Sequence, residues 1–390
     1  MAEVSPQRIA VLGPTHPYQG GVAAHTTETA HRLAAAGHDV DLVSWSRLLP
    51  EALYPGGPAT AAGGPDLPPY PRTTRPLRWD RPATWWRTGR SMRDRDLVVV
   101  ALVVPAQVPA LLTTIRALRR RRPAGGPRVV LLVHNVLPHE THPGDRWLVR
   151  RALRAVDAVL VHSDEMAAQA REIGGARVRA VVADLPPHLP GGAPDGAPAH
   201  RPRADGAPVR VLCLGMVRPY KGVDLLLEAV REVPGVEVTV AGEHWGAAGA
   251  RVRSLAAEPP LAPRVRLVPG YVPGVDVPGL LAGHDVLALP YRSATASQNV
   301  LLAHAHGLPV LATRVGTFPH QVADGVDGVL VEPGSVAALA AGLRRLIEPG
   351  AVDALRAAVP AVDLDGPWDA YVTALTGAPV TSTAPTGVRR

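Results

Sequence analysis

Short runs rich in valine and leucine, most of them without polar alternation, recur along the chain, and they narrow its fold more than any other feature. They read RIAVLG (8–13), DVDLVSW (39–45), DLVVVALVV (96–104), RVVLLVHN (128–135) and DAVLVHS (157–163). After a break come PVRVLCLG (208–215), VEVTVAG (236–242), RVRLVPG (264–270), DVLALP (285–290) and PVLATRVG (309–316). A strand that is apolar on both faces lies inside a parallel sheet covered by helices. Helix-like stretches separate the runs, the first over about 23–36 with Gly37 at its C-terminal cap. The expected class is α/β.

The break divides the chain. Residues 186–208 read PPHLPGGAPDGAPAHRPRADGAP, which is linker chemistry. A length of 390 residues suits two domains. The expected organisation is an N-terminal domain over 1–185, a linker over 186–207, a C-terminal domain over 208–365, a helix over 366–376 and a disordered tail over 377–390. The Pro- and Gly-rich segment 50–82 reads as loop.

Residues 97–115 carry no charge, close to the length of a membrane span. Pro105, Gln107 and Pro109 interrupt them, so a buried strand, a loop and a helix are expected instead. The N-terminus lacks a signal-peptide pattern, and a cytoplasmic protein is expected. The single cysteine, Cys213, sits in an apolar run and reads as a small buried hydrophobe.

The formal charge is +7, which favours acidic partners. Arginines gather at 116, 119, 120, 121 and 122, and again at 146, 150, 151 and 154. They read either as solvated helix faces or as attraction to anionic lipid at the inner membrane face, or to phosphorylated substrates. Nucleic acid is not expected, because no recognised motif or aromatic stacking platform is present.

Of 41 basic residues, 40 are arginine, and Lys221 is the one lysine. It lies in VRPYKGVD, beside Gly222, after a strand and before a helix. Codon bias toward G and C explains the arginines. It does not explain the exception. Arg218 and Lys221, three apart, can flank a diphosphate, and a flexible ammonium reaches a phosphate near crowded backbone where a planar fork does not fit. A leftover surface lysine is the plain alternative.

Two further strand-end segments carry polar chemistry. Gly20 and Gly21 in PTHPYQGGVAAHT either make a tight turn or let backbone N–H groups approach a phosphate at a helix start. Ser297, Gln298 and Asn299 can cap the next helix and offer donors to a phosphate or ribose. His304 and His306 do not share a helix face, so packing or capping is expected rather than a metal pair. His134 and Asn135, at a strand end, are sugar-hydroxyl partners or structural polar groups.

In the C-terminal half LGMVRPYKGVDLLLEA, VAGEHW, VRLVPGYVPGVDVPGLLAGHDVLALPYRSAT, AHGLPVLATRVGTFPHQV and DGVDGVLVEPG, in that order, resemble the group 1 (family 4) retaining glycosyltransferases. HPYQGGVAAHTTETAHRLAAAGHDVDLVSW and LLVHNVLPHE resemble the same family in the N-terminal half. The resemblance implies the GT-B architecture, two facing Rossmann-like domains with a nucleotide-diphospho sugar in the cleft between them. It implies that Lys221, Arg218 and the Gly20–Gly21 backbone meet the donor phosphates. It places His134 near the transferred sugar, and Glu140 is a candidate for the acceptor, a glycan, lipid or small molecule. It implies no cofactor beyond the co-substrate. No Asp-x-Asp metal motif is read, and the two cations stand in for a metal.

Two departures matter. The paired glutamates common in the family fall on Ala294 and Leu302, and the arginine usual after the strand glycine falls on Met216. Backbone of 295–299, or Glu332, would have to replace the ribose contact. A sugar-nucleotide epimerase and a non-catalytic partner of the same fold are the rival readings.

Overall fold

The computed structural model describes residues 5–49, 65–120, 126–138, 142–192, 206–294 and 297–377. The chain forms two compact units. The described residues of Met1–Leu53, Pro68–Pro186 and Leu364–Arg390 make the first, and those of Tyr54–Leu67 and Pro187–Asp363 the second.

The first unit holds β1 (Arg8–Leu12), β2 (Asp39–Arg47), β3 (Thr73–Arg78), β4 (Leu97–Leu102), β5 (Arg128–Val133), β6 (Ala158–Val161) and β7 (Ala180–Val182). Their order is β3-β2-β1-β4-β5-β6-β7, all parallel. The second unit holds β8 (Val209–Leu214), β9 (Val236–Gly242), β10 (Val265–Pro269), β11 (Val286–Leu289), β12 (Val310–Thr313) and β13 (Gly328–Val331), ordered β10-β9-β8-β11-β12-β13 and again all parallel. Every residue of β4, β11, β12 and β13 is buried, the physical source of their unbroken apolar runs. The chain direction across each sheet reverses once, between β1 and β4 and between β8 and β11. Ligands of open parallel sheets bind beyond the carboxyl ends at such a reversal.

The apolar run at 97–115 resolves into β4, a short 3-10 turn at Pro105–Gln107 and the helix Val108–Arg119. Among the described residues no helix is long and apolar enough to cross a membrane. The first helix runs Gly21–Ala35, and Gly37 follows it at φ +89°.

Two expectations need correction, and a third element, the last helix, has a place that the sequence did not assign. The segment read as loop contains β3, which pairs with β2 at the sheet edge through irregular register. An edge strand tolerates Pro76, and only Leu77 of β3 is buried, so neither alternation nor an apolar run announced it. Residues 187–192, read as linker, belong to the second unit, where a Cβ on Gly191 would stand 2.3 Å from the Gly274 carbonyl oxygen. The last helix, Gly366–Thr376, returns to the first unit, where Trp368 and Tyr371 are buried with Ile9, Val11 and Leu42. The proposed tail at 378–390 and linker residues 193–205 lie outside the described residues.

Candidate functional site

In the second unit the loops after β8 and β11 meet at the sheet's point of reversal. β8 ends at Leu214, and Gly215 turns at φ +104°. A Cβ there would stand 3.1 Å from Lys221 Nζ. Gly242 ends β9, and a Cβ on it would lie 2.2 Å from the Gly215 carbonyl oxygen. Gly222, at φ +63°, allows the Pro290 carbonyl oxygen within 2.1 Å of where its Cβ would be. These glycines let three strand ends close around one small space.

Lys221 stands in that space. Its ammonium lies 5.6 Å from the centre of the Tyr291 ring. Burial above all, and the charge of Arg218 less, pull its pKa below the ordinary lysine value, against Tyr220 and Cys213. Among the described residues no carboxylate is within ion-pairing distance of it. By contrast Arg292 is fully engaged. Its guanidinium donates to both Asp224 carboxylate oxygens at 2.9 and 2.7 Å and to the Pro219 carbonyl at 2.6 Å. Its backbone N–H donates to Tyr220 O at 2.6 Å. Arg292 therefore fixes the loop that carries Lys221, a role the sequence alone did not reveal.

Arg218 Nε lies 3.1 Å from the Met216 thioether sulfur. The guanidinium thus leans back beside Met216, where the family resemblance had implied an arginine. Asn299 opens the helix Asn299–Ala305, and its side-chain amide points inward, 3.4 Å from Leu214 O and 3.5 Å from the Tyr291 hydroxyl. Ser297 Oγ accepts from Asn299 N at 3.3 Å. Burial pushes the Tyr291 phenol up to about 12, against hydrogen bonds from Ser297 and Asn299. The structure therefore brings Lys221, Arg218, Ser297 and Asn299 to one strand-end site. Gln298 is the N-cap residue of this helix but makes no side-chain cap bond. Leu302, at the second glutamate position, is buried.

Glu332 follows β13, three strands from β8, so roughly 14 Å to the side at ordinary strand spacing. It pairs with Arg314 at 3.6 Å and is largely exposed. Nothing brings it to Lys221. Cys213 is buried, as expected, and its thiol is pushed up to about 12 by burial. His304, in the helix, and His306, its C-cap, are buried, and burial lowers their pKa values.

In the first unit Gly20, at φ +95°, precedes the helix that Gly21 starts, and nothing lies within 4 Å of where its Cβ would be. Both glycines are exposed, so the surface over this helix start is open. His134 follows β5, and its Nδ1 is 3.2 Å from His162 Nε2 beyond β6. His25 packs edge-on to His134, with ring centres 4.9 Å apart, and hydrogen-bonds the Tyr371 hydroxyl at 3.0 Å. Asn135 lies beside His134 and is half-buried. Glu140 lies outside the described residues.

Three Asp-x-Asp triplets do occur, at 39–41, 94–96 and 363–365. Asp39 and Asp41 are bound by Arg72 and Arg95, Asp96 accepts from the Arg8 amide at 2.8 Å, and Asp365 pairs with Arg32 at 2.6 Å. Among the described residues no group of three or more His, Cys, Asp or Glu side chains is placed to hold a metal ion.

Two parallel sheets, each with polar residues at its strand ends, define a two-domain Rossmann-like α/β protein. Comparison with known proteins narrows it. The family described as glycosyl transferases group 1 matches residues 208–349, and that described as glycosyltransferase family 4 matches residues 19–183. The chain belongs to the group 1, family 4 glycosyltransferases of GT-B architecture. It is 35% identical over 136 residues to a D-inositol 3-phosphate glycosyltransferase of Mycobacterium marinum, covering 34% of this chain and 29% of that protein. With the protein of the same name from Mycobacterium tuberculosis (strain F11) it is 32% identical over 204 residues, 49% of this chain and 41% of the relative. The matches thus span less than half of these relatives' length. Among solved structures it resembles sucrose-phosphate synthase of Thermosynechococcus elongatus, with TM-score 0.67, 19% identity and 95% of both chains covered. It also resembles Anabaena HepE in complex with UDP-glucose, with TM-score 0.66, 16% identity, and 95% and 97% covered.

Proposed function

We propose that the protein transfers a sugar from a nucleotide-diphospho sugar to a hydroxyl acceptor, with retention of anomeric configuration and without a metal ion. The observation that carries this reading is Lys221, an ammonium without a carboxylate partner among the described residues, set by three glycines at the point where the second sheet reverses. In this reading the bond from the anomeric carbon to the diphosphate oxygen breaks. The acceptor oxygen bonds to that carbon on the same face and passes its proton to the departing diphosphate oxygen, on which negative charge gathers as the old bond breaks. Lys221 and Arg218 stabilise that charge as preorganised cations. Within the first unit, the open helix start at Gly20–Gly21 offers N–H groups to an anion, and His134 and Asn135 offer polar groups to sugar hydroxyls. The solved structure of HepE with UDP-glucose supports a nucleotide-sugar donor of this kind. The names of the mycobacterial relatives make D-inositol 3-phosphate the first acceptor to try, within a pathway of glycan, glycolipid or surface-polysaccharide synthesis.

The test is thermal stability of the full chain with UDP, GDP, ADP and dTDP, each with and without Mg²⁺. A ligand that binds only the folded state raises the melting temperature. One nucleotide should raise it irrespective of Mg²⁺, and Lys221→Ala should abolish the rise while remaining folded. Leu302, buried in place of a ribose-binding glutamate, favours the second reading, a non-catalytic partner of the same fold. No shift with any nucleotide would establish that reading over the first.

A further inference from the structure

The first unit carries a second anion-seeking surface, built from two helices unconnected with the strand-end site. On the helix Asp145–Leu153 and its C-cap, Trp147, Arg150, Arg151 and Arg154 fall at helical spacing on one face, while Val149, Ala152 and Leu153 face the core. On the helix Val108–Arg119 and its C-cap, Arg116, Arg119 and Arg120 make the matching stripe. The two stripes line one hollow of about 710 Å³.

Two of these arginines are committed locally. Arg119 pairs with Asp157 at 2.8 Å, and Arg154 donates to the Gly174 carbonyl at 2.7 Å. Arg116, Arg120, Arg150 and Arg151 are exposed, and among the described residues none has a carboxylate within ion-pairing distance. Four like charges around one hollow repel each other until an anion enters. Trp147 is 58% exposed at the same place, the most exposed tryptophan described, with the Arg151 guanidinium 4.9 Å from its ring centre. A site for one small phosphate would need its cations converging on a point. Here four exposed guanidiniums, more charge than one phosphate needs, surround an exposed indole. Indole prefers the headgroup layer of a bilayer, and arginine stems snorkel there.

We propose that this face docks on the surface of an anionic phospholipid bilayer, with Trp147 in the headgroup layer and Arg116, Arg120, Arg150 and Arg151 on lipid phosphates. The inference does not depend on the proposed sugar transfer, because it is read by binding alone.

The experiment is co-sedimentation of the full chain with phosphatidylcholine vesicles, with and without phosphatidylglycerol, at low and high salt. The chain should sediment only with the anionic vesicles and be released by salt. A basic side chain near an anionic surface is worth about 5-fold in binding, so the exposed-surface variant R116Q/R120Q/R150Q/R151Q should lose two to three orders of magnitude. Trp147→Ala should weaken binding several-fold and remove a blue shift of tryptophan emission on vesicle addition. Unchanged melting temperatures will show that the variants are folded. Failure to bind anionic vesicles, or equal binding by the quadruple variant, would overturn the proposal. Stabilisation by inorganic phosphate without vesicle binding would replace it with a small-anion site.

Discussion

His162 Nε2 lies 3.2 Å from His134 Nδ1, and the other nitrogen of His162 lies 3.2 Å from the Ala183 carbonyl oxygen. A carbonyl only accepts, so His162 Nδ1 carries the proton and donates it. Burial lowers the His162 pKa to about 4, so the ring is neutral near pH 7 and Nε2 is an acceptor. His134 must then donate through Nδ1, and in the neutral ring its Nε2 keeps the lone pair. The tautomer of the candidate sugar-binding histidine is thus set by a residue that the sequence reading passed over. Nitrogen-15 NMR should show the His162 ring as the Nδ1–H tautomer at pH 7. His162→Leu removes the acceptor and strands a polar hydrogen, which costs about 1–3 kcal/mol, visible as a lower urea midpoint.

The same burial makes stability depend on pH. The folded pKa of His162 lies near 4 and the unfolded value near 6.5. Between them the unfolded chain binds a proton that the folded chain does not. The contribution is therefore complete above pH 6.5 and is lost as pH falls toward 4, by about 2 kcal/mol at pH 5. His38, His304 and His306, lowered by burial as well, act in the same direction. Aspartates with depressed values, such as Asp224 and Asp285, matter only below about pH 4, because they contribute fully above their unfolded value. Denaturant midpoints at pH 7 and pH 5 check this. Equal midpoints would contradict the burial of these rings.

Gly222→Ala should disrupt the Lys221 loop. It forces a Cβ into positive φ and within 2.1 Å of the Pro290 carbonyl oxygen, which is backbone and cannot swing away. A loss of about 2 kcal/mol or more is expected, with loss of any nucleotide-induced rise in melting temperature. A variant as stable as the parent would mean that the two loops do not close as described.

Much of this was legible beforehand, for identifiable reasons. Buried strands such as β4 and β12 announce themselves because both faces are apolar. Lys221 stood out because the surrounding composition made it an exception. What stayed hidden depended on long-range pairing. β3 is polar and contains Pro76, so only its place beside β2 makes it a strand. Trp368 and Tyr371 looked like an ordinary terminal helix, and nothing local says that they fill the core built around Ile9. Arg292 gave no signal among 40 arginines, since its meaning lies in Asp224, 68 residues away.

That distant pair leads to a test of the loop's anchor. Arg292 and Asp224 are both partly exposed, so the ion pair itself is worth only about 1 kcal/mol. Arg292→Lys keeps the charge and loses the fork that holds Asp224 and Pro219 together. Stability should fall by no more than that amount, while nucleotide affinity should fall several-fold because the Lys221 loop is no longer held. Isothermal titration of the nucleotide that passes the thermal screen separates the two effects. Unchanged affinity would mean that the loop is positioned by its glycines alone.

The position of the missing glutamate allows a sharper test of why it is missing. Leu302 is 4% exposed on the helix Asn299–Ala305, packed as an apolar side chain. A carboxylate placed there would be buried without a partner prepared for it, at a cost of about 3 kcal/mol or more unless it takes up a proton. Its folded pKa would rise above the unfolded glutamate value near 4.3. The folded variant would then hold a proton that the unfolded chain releases, so its defect would be greatest at neutral pH and shrink on acidification. Leu302→Glu should therefore melt well below the parent at pH 7, and the gap should narrow toward pH 5. A variant as stable as the parent at pH 7 would mean that the site still accepts the carboxylate, and that the lost glutamate could be restored by one substitution.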